Sequence, residues 1–182
     1  MSTVILKWNP SFSSYSMFRF LAGIVDLNYG EMENYNWSVW DYDKIHKGDR
    51  FYWLKVGYGQ VGIVGAGTII SEPYEDEDWR GKGRRTFYVD FIPEILINSD
   101  ALPILSAETL SDYIPDFEWD RGHSGLVLNP QQSAALDELW NAYIEEHRSE
   151  FIRKAVRYER ENDLIFWEEA PLTNQVDKLF IN

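Results

Sequence analysis

The run Arg50–Ile70, RFYWLKVGYGQVGIVGAGTII, constrains the fold more than any other stretch, because it fits two incompatible architectures. Gly57, Gly59 and Gly62 have the spacing of a dinucleotide-binding fingerprint, which requires a strand, a tight turn and then a helix whose N-terminal amides hold a pyrophosphate. The strand is present in RFYWLKV, which is aromatic and β-branched and is preceded by a turn in HKGDR. The helix is not. Ile63, Val64, Ile69 and Ile70 favour a strand, and Gly65 and Gly67 would each cost a helix interior about 1 kcal/mol relative to Ala. The run therefore reads as a β-hairpin: strand 50–56, turn 57–60 and strand 61–71, with Gly65 and Gly67 marking a bulge or a close backbone approach.

The other elements follow from periodicity and punctuation. TVILKW (3–8) reads as a buried strand ending at Asn9-Pro10. Ser11, Ser13 or Ser14 then caps a helix to about Leu27, with Tyr15, Phe18, Leu21 or Ala22, and Val25 on one face. A polar loop, NYGEMENYN, delivers WSVW (37–40) and a short helical turn. In TFYVDFI (86–92), Phe87, Val89 and Phe91 share a face of a half-buried strand that Pro93 ends or places at an edge. A short helix follows Ser106, and 117–128 reads as strand or loop with a glycine turn. Asn129-Pro130 starts a long helix whose apolar positions, from Leu136 through Trp140 and Tyr143 to Ala155, carry it to about Arg160. The tail, with Ile165, Phe166, Leu179 and Phe180, is expected to pack back or to meet a partner. About five strands with helices at both ends give an α+β class, a small mixed sheet curled into a barrel.

Composition removes several function classes. There is no Cys, which excludes disulfide scaffolds, thiolate zinc sites and a cysteine nucleophile. His46, His123 and His147 are isolated, so no metal or cofactor is expected. GHSG (122–125) lacks the GxSxG pattern of a serine nucleophile, and no P-loop is present. The chain reads as a non-enzyme. The start lacks the features of a signal peptide and no run approaches a membrane span, so a cytoplasmic location with no membrane partner is expected. The net charge of −13, from 30 acids and 17 bases, opposes non-specific binding to a polyphosphate. The charge is nonetheless uneven: YEDEDW is followed by Arg80, Lys82, Arg84 and Arg85, and Lys47 and Arg50 lie in a weaker basic cluster with Lys44. Such a loop either meets a few phosphates or neutralises its acidic neighbours.

The aromatic residues carry the remaining signal, at 16% of the chain with eight Trp. Trp53 within a strand and Trp140 on a helix stripe read as core. Trp8, Trp37, Trp40, Trp79 and Trp119 fall at strand ends or in polar loops. Indoles so placed either stack on a flat ligand or build core and protein interfaces.

NWSVW, IHKGDRFYWLKVG, VGIVGAGTIISEPYEDEDW, GHSGLVL and LDELW, in this order over about residues 3–143, resemble the EVE and EVE-like branch of the PUA-like superfamily, relatives of YTH domains. The resemblance implies a PUA-like curved β-barrel of about five to six strands flanked by helices, occupying 1–145. Residues 146–182 are then a continuation of the C-terminal helix and a tail, packed on the domain or used for association. It implies a reader of modified nucleobases. Trp37 would stack on an extruded base, Ser38 or its backbone would bond the base edge, and Asn9 would add a polar contact. Trp8, Val39, Trp40, Trp79 and Trp119 would complete the pocket, with Arg80, Lys82, Arg84, Arg85, Lys47 and Arg50 against the phosphate backbone. Trp37-Ser38-Val39 is similar to the Trp-Ser-Thr element of YTH domains, with Val in place of Thr and so one hydroxyl fewer. A free nucleoside or other small planar metabolite, or a protein partner recruited by the acidic surface and tail, is the competing expectation.

Overall fold

The computed structural model describes residues 1–28 and 34–147, together with the backbone of 152–159 and 164–171. The described residues fall into two compact units, 1–139 and 140–182. No helix among them is long and apolar enough to cross a membrane.

The first unit is a curled sheet with the path β2-β6-β4-β3-β1-β8, in which β5 also pairs with β6 and β7 with β4. Its centre is built from β1 (Thr3–Trp8), β3 (Arg50–Lys55) and β4 (Gly62–Ile69), which are buried almost throughout. Strands covered on both faces need continuous apolar runs, and this is why TVILKW and FYWL do not alternate. β1 and β3 run parallel, with Leu6 opposite Trp53. A parallel pair requires a long crossover, and here it passes through α1 (Met17–Asn28) and β2 (Tyr35–Val39).

The glycine hairpin forms as β3 and β4, and no helix follows Gly62. The register shifts once opposite Trp53/Leu54 and again between Ala66 and Gly67, where β4 meets β6 (Arg85–Leu96). A Cβ on Gly67 would lie 2.1 Å from the Ile92 carbonyl oxygen, and one on Gly65 3.0 Å from that of Ile95. Both glycines therefore mark close approach beside a bulge. β6 runs through Pro93 instead of ending there, and it is an interior strand between β2 and β4. The bulge supplies the reason: Pro93 sits at the register shift, where a missing N–H costs the ladder least.

Other local expectations are corrected in detail. Ser16, not Ser11, Ser13 or Ser14, caps α1, its Oγ accepting from the Arg19 N–H at 3.3 Å. The buried face of α1 carries Phe20 and Leu27, whereas Phe18 and Val25 are exposed. WSV forms the end of β2, paired antiparallel with β6. β5 (Tyr74–Glu77) pairs with the start of β6, and β7 (Leu105–Ser106) leads into α2 (Ala107–Tyr113), whose Ser106 cap forms as expected. β8 (Leu126–Val127) is short and antiparallel to β1.

α3 (Pro130–Glu146) starts as the sequence predicts. Asn129 Oδ1 accepts from the Gln132 N–H at 2.8 Å while Gln132 Oε1 accepts from the Asn129 N–H at 3.0 Å, a reciprocal cap. Its early turns meet the outer face of the sheet, where the Tyr52 hydroxyl donates to Asp137 at 2.6 Å. The helix ends at Glu146 and does not continue to Arg160. In the second unit, β9 (Ile152–Glu159) and β10 (Leu164–Pro171) pair antiparallel, Ile165 opposite Tyr158. Val156, Tyr158, Ile165, Phe166 and Trp167 are strand formers, and that preference outweighs the helical spacing. Leu179 and Phe180 lie outside the described residues.

Candidate functional site

The sheet curls until its two ends nearly meet, and the site lies along that seam. At one end the seam is closed. The Trp40 N–H donates to the Ser124 carbonyl and the Asp41 N–H to the Gly125 carbonyl, each at 2.9 Å, while the Gly125 N–H bonds Ile5 O at 2.8 Å. Gly125 is needed there: its φ is +75° and a Cβ would meet Val39 Cα at 2.3 Å. At the other end β1 and β2 are bridged by a side chain, the Trp37 indole N–H donating to Lys7 O at 3.1 Å. There the seam opens into a cleft of about 1070 Å³.

Beneath the cleft lies an aromatic cluster centred on Trp53, which does not itself line the opening. Trp53, fully buried, is met edge-on by Trp37 at 5.3 Å between ring centroids and 76°, and is flanked by Trp8 at 5.6 Å and Tyr15 at 5.4 Å. Trp8 is buried, and its indole N–H donates to Tyr15 O at 2.7 Å, so it lines the cleft from beneath without offering a free face. Burying such rings stabilises the fold by about 1.5–3 kcal/mol each. The Trp53 indole N–H has no hydrogen-bond partner among the described residues, a cost of about 1–3 kcal/mol accepted at this position.

Of the residues expected to form a base pocket, the cleft brings together Trp8, Asn9, Trp37, Ser38, Val39, Trp40 and Trp79. Trp37 is half-buried. Trp40 is 59% exposed and stacks on His123 at 3.8 Å and 7°. Trp79 is 44% exposed and lies under the Arg80 guanidinium at 5.1 Å. Val39 is buried in the closed part of the seam. Trp119 is not in the cleft. Its ring is buried against Phe117 and its indole N–H donates to Ile114 O at 3.0 Å, which makes it core despite its polar neighbours in sequence.

Two polar groups on the cleft wall are left over. Asn9 Oδ1 accepts from the Ser11 N–H at 3.1 Å, and its Nδ2 has no partner among the described residues. The Ser38 hydroxyl likewise has none. Ser124, the serine of GHSG, is engaged: its Oγ accepts from the Lys7 N–H at 2.9 Å.

The basic residues separate. Arg80 lines the cleft, and Lys82 and Arg84 extend from the same exposed loop, where Gly81, Lys82 and Gly83 all have positive φ. Arg85 instead pairs with Glu75 at 2.9 Å, which realises the neutralising alternative. Arg50 bonds the Tyr52 hydroxyl at 3.1 Å and faces Glu94 at 3.9 Å, and neither it nor Lys47 lines the cleft.

Sequence reasoning missed Lys7, Tyr15 and Arg19 on the cleft wall. Lys7 is buried, its ammonium donates to Glu118 O at 2.7 Å and to Arg121 O, and burial holds its pKa below the ordinary 10.5. Arg19 lies over the Tyr15 ring at 5.6 Å. Only the Asn9-Pro10 break hinted that the chain there leaves the sheet to form a wall.

No family model and no curated protein matches the chain. Solved structures do. A Pseudomonas putida protein aligns with a TM-score of 0.51 at 17% identity, over 75% of this chain and 98% of that one. A hypothetical protein from Leishmania major aligns with a TM-score of 0.53 at 12% identity, over 81% and 98%. The YTH domain-containing protein mmi1, in complex with RNA, gives a TM-score of 0.46 at 14% identity, over 80% and 85%. What is shared is architecture: the chain has the α+β fold, a curled sheet with flanking helices, of the Pseudomonas putida and Leishmania major proteins.

Proposed function

We propose that the chain is a non-catalytic reader of a modified nucleobase in nucleic acid, holding one base against Trp37 in the seam cleft. The observation that carries this reading is the pairing of aromatic faces with unmatched polar groups in one opening. Trp37 and Trp79 offer π surface, and Asn9 Nδ2 and the Ser38 hydroxyl offer hydrogen bonds not already used. A flat ring with a polar edge is what such a wall accommodates. Val39 is buried and closes the seam, so the hydroxyl that Thr would carry there is replaced by apolar contact. Extruding a base costs a few kcal/mol, and a modification that weakens pairing or adds apolar area would offset part of it.

The test is binding to oligonucleotides with and without 5-methylcytosine, 5-hydroxymethylcytosine and N6-methyladenine, followed by fluorescence anisotropy. One modified oligonucleotide is expected to bind better than its unmodified counterpart. Trp37→Ala should weaken that binding by about 1–3 kcal/mol. Because Trp37 also bridges β1 and β2, Trp37→Phe serves beside it as a variant that keeps a ring. Equal, feeble binding to every oligonucleotide rejects the reading, and binding of a free nucleoside alone turns it into small-molecule recognition.

A further inference from the structure

Trp40 is the most exposed indole of the cleft, and its backbone is held in place by hydrogen bonds. Its backbone N–H is bonded to Ser124 O and that of Asp41 to Gly125 O. Asp41 Oδ2 in turn accepts from the Val127 N–H at 2.9 Å, so the corner after β2 cannot drift. The His123 ring covers one face at 3.8 Å and 7°. The 59% exposure that remains therefore belongs to the opposite face and the ring edges. An indole with one face backed and the other bare is a stacking platform whose orientation is already fixed.

The position of this platform matters. Trp37 and Trp40 are three residues apart, at most about 10 Å of extended backbone. Neighbouring bases of a single strand, splayed apart, fall within that limit. The cleft, at about 1070 Å³, reaches the upper end of the roughly 300–1000 Å³ of pockets that hold drug-sized ligands, larger than a single base requires. Arg19 and Arg80, each stacked over a ring of the cleft wall, have no acidic partner among the described residues and are placed to meet phosphate.

Building on the reading above, we infer that Trp40, backed by His123, is a second stacking subsite that takes the base flanking the one held at Trp37. The protein then recognises a modified base together with a neighbour, and a free nucleoside fills only half of the site.

The experiment compares, for each of the three modified bases, the free nucleoside with a single-stranded trinucleotide carrying it centrally. Binding is measured to the intact chain and to its Trp40→Ala, Trp40→Phe and His123→Ala variants. The trinucleotide should bind the wild type more tightly than the nucleoside. Trp40→Ala should weaken trinucleotide binding about 5- to 100-fold and leave nucleoside binding unchanged. Trp40→Phe should restore most of the loss, and His123→Ala should produce a smaller loss of the same pattern. Equal losses for nucleoside and trinucleotide, or no loss in either, overturn the second subsite while the reader function stands. A wild-type chain that binds neither probe fails at the reader function itself, and the inference falls with it.

Discussion

A single buried ammonium holds one wall of the cleft. Lys7 reaches across to the Glu118 and Arg121 carbonyls, with Phe117 5.0 Å away from its Nζ, and so fixes the loop that presents His123 behind Trp40. Lys7→Met keeps the apolar stem and removes the donor, leaving those carbonyls without it. The expected loss of stability is about 1–3 kcal/mol, read by urea unfolding, together with faster amide exchange over residues 118–124. The pH dependence has a fixed sign. Burial lowers the folded-state pKa below 10.5, so the unfolded chain binds more protons between the two values and stability rises with pH across that window. Lys7→Met should flatten that rise, and an unchanged slope together with unchanged exchange would remove Lys7 from this role. No feature of TVILKW announces it, because a lysine near the end of an apolar strand reads as an exposed tip until the loop that meets it is known.

Among elements, the glycine hairpin sets the curvature that produces a seam at all. Gly67 permits β4 to approach β6 where the register slips past Pro93, and a Cβ there would meet Ile92 O at 2.1 Å and Pro93 Cα at 2.8 Å. These are backbone atoms, so the clash is relieved only by moving a strand. Gly67→Ala is expected to destabilise by about 1–3 kcal/mol or more, measured by thermal or denaturant unfolding. Gly81→Ala, with nothing within 4 Å but a φ of +73°, should cost about 1 kcal/mol or less in comparison. The hairpin was legible because glycine and β-branched residues state their requirements locally, as do Ser106 and the Asn129-Pro130 cap. The face of α1 was not. Phe18 and Phe20 are equally apolar, and what buries Phe20 is the presence of Trp8 and Trp53 opposite it. Trp119 fails for the same reason in reverse, since charged neighbours in sequence do not show that Phe117 and Ile114 O enclose the ring. Trp37, Trp40 and Trp79 were legible as candidates from their setting, but only the closure of β1 against β2 places them in one opening.

For the molecule as a whole, the net charge of −13 and a cationic cleft mouth must be reconciled. Exposed charges separated by more than about 8–10 Å are screened at physiological salt, so a ligand touching only the mouth feels Arg19 and Arg80, and at most Lys82 and Arg84, more than the acidic body. A duplex laid across the surface would meet the acids as well. For single strands the slope of log K against log salt is about −0.7 per phosphate contacted. Two to four contacts predict a slope between about −1.4 and −2.8, whereas all six sequence-predicted cations would give about −4. Titrating a labelled single strand over a series of salt concentrations reads this directly. Arg80→Ala should make the slope shallower by about 0.7, and Arg85→Ala, whose guanidinium already pairs with Glu75, should leave it unchanged. A slope near zero would mean that no phosphate is touched, and the acidic body would then be a shield that leaves the cleft to uncharged planar molecules.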